Sequence, residues 1–506
     1  MGTGAATAVA CAACPVVRIS PLDNVAVAVE PVAAGAEVCV AGGAVRAVCE
    51  VPRGHKMALG PIACGSPVVK YGCSIGHATR DIAAGEWVHE HNMATDLSGE
   101  KAYAYHPRPC DLPREAPQTF MGYRRPDGRA AVRNEVWVVP TVGCVNEVAR
   151  AIAARGEALA GEGVDGVVAL CHPYGCSQTG ADHAQTRRLL AALCRHPNAA
   201  GVLVLSLGCE NLTHEQFVAE LGDYDPARVR FLVCQDVEDE VEEGTAVVAE
   251  LVRAASRAKR EPIPVSELVV GLKCGGSDGL SGITANPAIG SMSDRVVAQG
   301  GTALLAEVPE MFGAESLLLD RCRNEGVFDE ACRLLNGFKD YFVSHGEVVY
   351  ENPSPGNRAG GITTLEDKSC GCVQKGGTAP IEGVVPYGGQ VRRHGLNLLC
   401  SPGNDLVSAT ALAAAGAHVV VFSTGRGTPF GCAVPTVKVA SNTAIYERKR
   451  RWFDFNAGCV AEGRESVADA GCALFDRVLA VASGALVAAE RLGSAEIAIW
   501  KDGVTL

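Results

Sequence analysis

Between Val16 and Leu97 the apolar positions fall in short runs, Val25 to Val29, Glu37 to Val40, Ala44 to Cys49, Val68 to Tyr71 and Glu86 to His89, punctuated by glycines and prolines. None carries the 3.6-residue apolar period of a helix, so residues 16–97 are predicted to form a small all-β domain. Residues 98–119 are polar and hold Pro107, Pro109, Pro113 and Pro117, which suits an exposed linker. Beyond about Phe120, brief β-branched runs alternate with amphipathic stretches, the pattern of βα units around largely parallel sheets. Predicted strands are Gly166 to Leu170, Gly201 to Leu207, Val229 to Val233, Leu268 to Leu272, Thr302 to Ala306, Leu396 to Leu399 and His418 to Phe422. Predicted helices are Asp182 to Arg195, Val237 to Arg257 and Asn404 to Ala415. The charged, proline-bearing stretch Arg257 to Pro264 reads as the join between a middle α/β domain, 120–260, and a C-terminal α/β domain, 261–506. No internal repeat alters this division. The fold class is α/β with a small all-β N-terminal domain.

At roughly 150 residues per domain, 506 residues accommodate about three domains and several cores. Hydrophobic residues at 48%, charged residues at 20% and 58 glycines describe a glycine-punctuated globular chain and exclude disorder. A formal charge of −12 argues against a nucleic-acid partner bound on one broad basic surface. The start, MGTGAATAVACAACP, lacks a signal peptide's basic region and long apolar core, and Ala6 stands where myristoylation wants Ser or Thr. No apolar run is long enough to span a membrane. The expected setting is cytoplasmic, with reduced thiols, no membrane partner, and a homo-oligomer possible.

Against that background the 22 cysteines stand out. In open α/β sheets, ligands bind beyond the carboxyl ends of strands. Those positions here read Cys171-His172-Pro173-Tyr174-Gly175-Cys176-Ser177-Gln178, Gly208-Cys209-Glu210-Asn211 and Lys273-Cys274-Gly275-Gly276-Ser277-Asp278-Gly279. Cysteine is often a small core hydrophobe, and Cys39, Cys49, Cys194, Cys234, Cys400 and Cys472, within apolar patterns, read that way. Cys176, Cys209 and Cys274, beside His172, Glu210 and Asp278, are instead candidates for a joint metal or cluster site. Cys11-x-x-Cys14 and Cys370-Gly371-Cys372 have ligand-like spacings, but neither forms the paired modules of a structural zinc site.

His89-Glu90-His91-Asn92 closes the β segment. In an extended strand, His89 and His91 would project to one face, as two imidazoles on one metal require; a solvated surface pair is the plain alternative. His55, in Gly54-His55-Lys56, is equally open to a surface-turn reading. The loop Gly425-Arg426-Gly427-Thr428-Pro429-Phe430-Gly431 has one residue too many for a dinucleotide fingerprint, and Pro429 removes a backbone donor. Arg426 there suits a carboxylate. Asn352-Pro353-Ser354-Pro355-Gly356-Asn357 forms another irregular polar loop, a structural turn or a lid.

These residues resemble the altronate and galactarate dehydratase family, metal-dependent lyases of sugar acids. The likeness runs from Asp23-Asn24-Val25-Ala26 through Gly54-His55-Lys56, Lys70-Tyr71-Gly72 and Val88-His89-Glu90-His91-Asn92. It continues through Pro140-Thr141-Val142-Gly143-Cys144-Val145-Asn146, Tyr174-Gly175-Cys176-Ser177-Gln178, Leu207-Gly208-Cys209-Glu210-Asn211 and Cys274-Gly275-Gly276-Ser277-Asp278-Gly279. It ends with Asn352-Pro353-Ser354-Pro355-Gly356-Asn357, Ser423-Thr424-Gly425-Arg426-Gly427-Thr428-Pro429 and Gly503-Val504-Thr505-Leu506. The HxHN and YGCSQ spellings resemble the altronate branch. The resemblance implies a β-clip (SAF-type) domain followed by two α/β regions. It also implies conversion of D-altronate to 2-dehydro-3-deoxy-D-gluconate and water, with Fe(II) or Mn(II) as cofactor. Cys73, Cys370, Cys432 and the lead-in Met1 to Cys14 depart from the family pattern.

Such a dehydration removes a weakly acidic C2 proton, expels the C3 hydroxyl and passes through an enediolate-like anion that a Lewis acid stabilises. His172 is the expected proton carrier, since an imidazole titrates near pH ~6.5, with Glu210 and Lys273 as alternates. Arg426 is expected on the substrate carboxylate, with Ser277, Asp278 and Asn357 on its hydroxyls. Two ligand arrangements stay open: a mononuclear site of His55, His89 and His91, or an iron–sulfur cluster on Cys176, Cys209 and Cys274. Galactarate dehydratase and sulfolactate sulfo-lyase are the rival activities, and a non-catalytic thiol-rich metal or redox protein the rival class.

Overall fold

The computed structural model describes residues 15–40, 43–99, 102–350 and 352–504, so Cys11-x-x-Cys14, most of the lead-in and Thr505-Leu506 lie outside the described residues. The β domain pairs Val16–Val17, Val25–Ala28, Lys56–Ala58 and Trp87–Val88 antiparallel, in that order. Two smaller sheets join Glu37–Val40 to Gly43–Arg46, and Cys73–Ala78 to Pro67–Lys70 and Met93–Ala94. A short repeat does underlie this domain. Val32-Ala33-Ala34-Gly35, Ile62-Ala63-Cys64-Gly65 and Ile82-Ala83-Ala84-Gly85 each turn on a glycine with φ near 80° and lead into a fully buried valine, Val38, Val68 or Val88. At Gly85 a Cβ would lie 1.9 Å from the carbonyl of Arg46, so only glycine fits. The repeat is conformational more than literal, which hides it from a search for long sequence periods.

The linker is not a free connection. Tyr105 donates to the Cys322 carbonyl at 3.1 Å, Tyr103 accepts from Lys339 at 2.7 Å, and both rings pack on the C-terminal core. Arg260–Pro264, read above as a join, is a strand, antiparallel to Thr119–Arg124. Chain entering and leaving the middle domain is thereby zipped together, and a boundary at 260/261 falls inside paired backbone.

The middle domain is a four-stranded parallel sheet in the order Gly166–Ala169, Glu135–Pro140, Ala199–Ser206, Val229–Val233. Asn146–Glu157 and Glu240–Ala255 cover one face. Gly180–Cys194 covers the other, where its Leu189, Leu190 and Leu193 share a core with Leu412 and Phe422 of the C-terminal domain. Near-continuous apolar strands are what burial on both faces demands.

The C-terminal sheet has seven parallel strands, ordered Ile381–Val385, Gly395–Leu399, Thr302–Leu305, Val269–Cys274, Val419–Thr424, Thr436–Ala440, Phe455–Asn456. From Val269–Cys274 the chain builds outward to one side, then returns to Val419–Thr424 and builds to the other. The crevice between those two strands is the topological switch point at which such sheets bind ligands. Helices Ala285–Ala298 and Val467–Ala482 pack together beside the sheet. Among the described residues no helix is long and apolar enough to cross a membrane.

Candidate active site at the switch point

Val269–Cys274 delivers Lys273 and Cys274 to the switch point, and Gly275 follows because a Cβ there would lie 2.5 Å from the Asp405 carboxylate and 2.7 Å from Phe422. Lys273, fully buried, pairs with Glu307 at 2.6 Å and Asp405 at 2.9 Å. Glu307, just beyond Thr302–Leu305, sits at φ 73°, ψ 62°, a left-handed conformation that non-glycine residues hold only when their surroundings impose it. Its backbone N–H donates to Ser401 Oγ at 3.0 Å, which supplies that constraint.

Below Lys273 lies a thiol and carboxylate cluster. Cys274 and Cys372 sulfurs are 3.3 Å apart, and each lies 3.1 Å from Glu310 Oε2. Among the described residues this trio alone brings three or more Cys, His, Asp or Glu donor atoms within 4.8 Å of one another. Lys375 donates to Cys274 Sγ at 2.7 Å and pairs with Glu307 at 3.2 Å; Lys368 pairs with Glu310 at 2.7 Å. Burial pushes the Glu310 carboxyl up, but the Lys368, Lys375 and Lys273 ammoniums override it and hold it down at about 2. The contact with Cys274, together with burial, raises the Cys372 thiol well above its ordinary value. Two sulfurs and a carboxylate are a donor set for Fe(II), since thiolates select iron over the oxygen-preferring Mn(II); binding would displace the thiol protons.

The β domain closes this crevice from above. Gly279 approaches so tightly that a Cβ would lie 1.9 Å from the Gly54 carbonyl, and its N–H donates to Gly360 O at 2.7 Å. Lys56 and Lys70 of the β domain both pair with Asp367, at 2.7 and 3.0 Å, with all three side chains almost wholly buried. Burial would raise the Asp367 carboxyl, but the two ammoniums hold it well below the usual carboxylate range. Lys70, Ser277, Asp278, Asp367, Lys368 and Cys372 line one narrow cleft, which connects these ion pairs to the thiols. Beside it a cavity of about 570 Å³ is lined by His89, Glu90, Pro353, Pro355, Arg358 and Ala359.

The expected site residues separate into two groups. Ser277, Asp278, Asn357 and Arg426 surround the crevice. Asn357 Nδ2 donates to the Ser277 carbonyl at 2.8 Å, while Ser277 Oγ, buried, has no partner. Asp278 Oδ1 accepts from Ser281 and Ser441, and its Oδ2 from Asn442. Arg426 is exposed beside Gly276 and Gly356 and makes no ion pair among the described residues. His172 lies on the middle domain instead. Its Nε2 donates to the Pro140 carbonyl at 2.8 Å and its Nδ1 accepts from Tyr174 N–H, so neither nitrogen is left to move a proton; burial pushes it down to about 4. Glu210 likewise spends its carboxylate on Thr141, Leu207 and Gly208, organising a loop.

The three-histidine arrangement does not assemble. His89 to Asn92 form a turn closed by the Asn92 N–H on the His89 carbonyl, not an extended strand, so His89 is buried and His91 exposed. His55 stacks edge-on to His89, centroids 4.9 Å apart, but its Nδ1 accepts from Trp87 Nε1. His89 Nδ1 is bonded to Thr363 Oγ1 at 2.9 Å. Nor does the three-cysteine cluster form as expected, because Cys274 is buried under the large sheet while Cys176 and Cys209 are exposed at the edge of the small one. Sequence reasoning missed Glu307, Glu310, Lys368, Lys375 and Asp367. Glu307 and Glu310 follow a predicted strand, the rule that found Cys274, and Cys372 had a visible spacing but no visible partner.

A β domain clamped over the switch point of a doubly wound sheet, with basic, acidic and thiol groups converging beneath it, defines an α/β enzyme site for a small anionic substrate. Residues 14–96 match the altronate/galactarate dehydratase SAF domain, 122–256 the D-galactarate dehydratase/altronate hydrolase second domain, and 265–505 the D-galactarate/altronate dehydratase C-terminal domain. The chain belongs to the galactarate/altronate dehydratase family of hydro-lyases. It is 51% identical to the altronate dehydratase of Escherichia coli and 50% identical to that of Bacillus subtilis, each over 97% of this chain and 99% of the relative. Identity to the L-threo-forming galactarate dehydratase of Escherichia coli is 35%, over 92% of each chain.

Proposed function

We propose that the chain converts D-altronate to 2-dehydro-3-deoxy-D-gluconate and water, with Cys274, Cys372 and Glu310 holding Fe(II). The observation that carries this reading is the buried trio of Cys274, Cys372 and Glu310 beside Lys375 and Lys368 at the switch point; identity near 50% to two altronate dehydratases over almost their full length favours altronate over galactarate. Arg426 binds the substrate carboxylate, for which its exposed, unpaired guanidinium is suited. Ser277 Oγ meets a substrate hydroxyl. His89 takes the C2 proton: burial, then the Lys56 charge and His55, push it down to about 3, so the ring is neutral at pH 7, and it lines the cavity. Lys368 and Lys375 stabilise the enediolate charge and exclude competing cations. When bound, the metal supplies Lewis-acid polarisation of the carboxylate and a neighbouring hydroxyl. A cytoplasmic setting accords with 20 described cysteines, all free.

The test is anaerobic incubation of the full chain with Fe(II), reductant and D-altronate, with galactarate and sulfolactate in parallel, assaying for a 2-keto-3-deoxy acid. Product from altronate is expected. Product from galactarate alone overturns the substrate, and no product from any of the three overturns the enzyme reading in favour of a thiol-rich binding protein.

A further inference from the structure

Every strand of the small sheet ends in a cysteine-bearing loop. Glu135–Pro140 leads to Cys144, Gly166–Ala169 to Cys171 and Cys176, Ala199–Ser206 to Cys209, and Val229–Val233 directly to Cys234. Three of these, Cys144, Cys176 and Cys209, are free and exposed. Cysteine is among the most consistently buried residue types, so three exposed thiols from adjacent strands on one sheet edge call for an explanation that core packing does not supply. The other exposed ones described, Cys39, Cys64 and Cys110, are scattered over the β domain and linker.

Their loops are tied to one another. Gly143, next to Cys144, donates its N–H to the Tyr174 carbonyl at 2.8 Å; Ser177, next to Cys176, donates its N–H to Asn211 Oδ1 at 2.8 Å; Leu212 N–H reaches the Gly175 carbonyl at 3.4 Å. Contact is close enough that a Cβ on Gly175 would lie 2.0 Å from the Thr141 carbonyl. Ser177 holds a left-handed φ of 54°, rare outside glycine, immediately beside Cys176. Glu210, whose role above was structural, gathers Thr141, Leu207 and Gly208, which draws the Cys144 and Cys209 loops together. Gln235 Nε2 donates to Cys209 Sγ at 3.6 Å, the type of hydrogen bond that tunes a metal-bound thiolate. Gln178, 3% exposed in the Cys176 loop, leaves its Nε2 without a partner.

We propose that Cys144, Cys176 and Cys209 bind an iron–sulfur cluster at the edge of the middle domain, a site separate from the Cys274, Cys372 and Glu310 centre. Spacing selects a cluster over a single ion. Thiolates on one tetrahedral zinc stand about 3.8 Å apart, and these three are not drawn in to that range. A cluster spreads its cysteines more widely, and three ligands leave one iron open.

The test is iron and acid-labile sulfide assayed on the full chain, purified anaerobically and reconstituted with Fe(II) and sulfide. Sulfide and a visible charge-transfer band bleached by dithionite are expected, lost in Cys144→Ser, Cys176→Ser and Cys209→Ser and kept in Cys274→Ala. Alkylation read by mass spectrometry serves should a variant not fold: the three thiols are expected to be protected together in loaded wild-type protein and to react together after chelation. Absence of sulfide, zinc bound without sulfide, or sulfide that survives Cys176→Ser but vanishes in Cys274→Ala overturns the proposal. The altronate assay stands or falls on its own.

Discussion

The sulfurs of Cys274 and Cys372 lie 3.3 Å apart across 98 residues of chain, both on the same oxygen of Glu310. Such a contact costs free energy unless the thiols have a partner worth the burial, and the flanking lysines show how much local charge the fold has arranged around them.

Removing either sulfur should abolish iron binding at this centre. Cys274→Ser and Cys372→Ser are expected to weaken Fe(II) affinity by more than about 100-fold, because even outer-shell changes cost ~10–100-fold. Metal titration followed by activity checks this, and full Fe(II) affinity in both variants would sink the assignment.

Arg426→Gln should raise KM for the sugar acid by roughly 10- to 150-fold, the worth of a charge-assisted hydrogen bond of ~1.5–3 kcal/mol. Because the guanidinium makes no ion pair among the described residues, stability should not fall with it. Steady-state kinetics and a melting curve decide; an unchanged KM rejects the carboxylate role.

Asp367→Asn strands the ammoniums of Lys56 and Lys70 in a buried interface. A loss of about 3–5 kcal/mol is expected, as for other broken buried pairs, read as a drop in urea midpoint. A loss below about 1 kcal/mol would mean that water reaches the pair. The carboxyl is depressed in the folded state, so its contribution is present above its unfolded value near ~3.9 and is lost as pH falls through the folded one.

Acid should weaken the fold before any carboxylate titrates. Burial pushes His172 and His418 down to about 4. Below pH ~6.5 the unfolded imidazoles take up protons that the folded ones refuse, so stability falls between about pH 6.5 and 4 by up to ~1.4 kcal/mol per unit for each ring. Urea midpoints at pH 7 and pH 5 measure this; equal midpoints would contradict it.

How legible the site was depended on what each feature needed. The α/β class, the all-β start and the strand-end loops followed from local apolar periodicity, which a strand or helix must express whatever surrounds it. His89 and His91 misled because same-face geometry presumes an extended backbone, and the Asn92 side chain instead closes a turn by accepting the His89 N–H and donating to the Trp87 carbonyl. His172 occupied the right place after a strand, but only packing showed both ring nitrogens already bonded to backbone.

The sequence by itself determined the element types, the loops that carry chemistry and, through long motifs in order, the family. Tertiary structure alone decided which of those loops meet. Cys274 could have joined Cys176 and Cys209 as readily as Cys372 on spacing alone, since sheet order and domain docking are set by contacts between residues far apart in the chain. The seven-stranded sheet took Cys274 inward to Glu310 and Lys375, and the four-stranded sheet left Cys176 and Cys209 at its open edge.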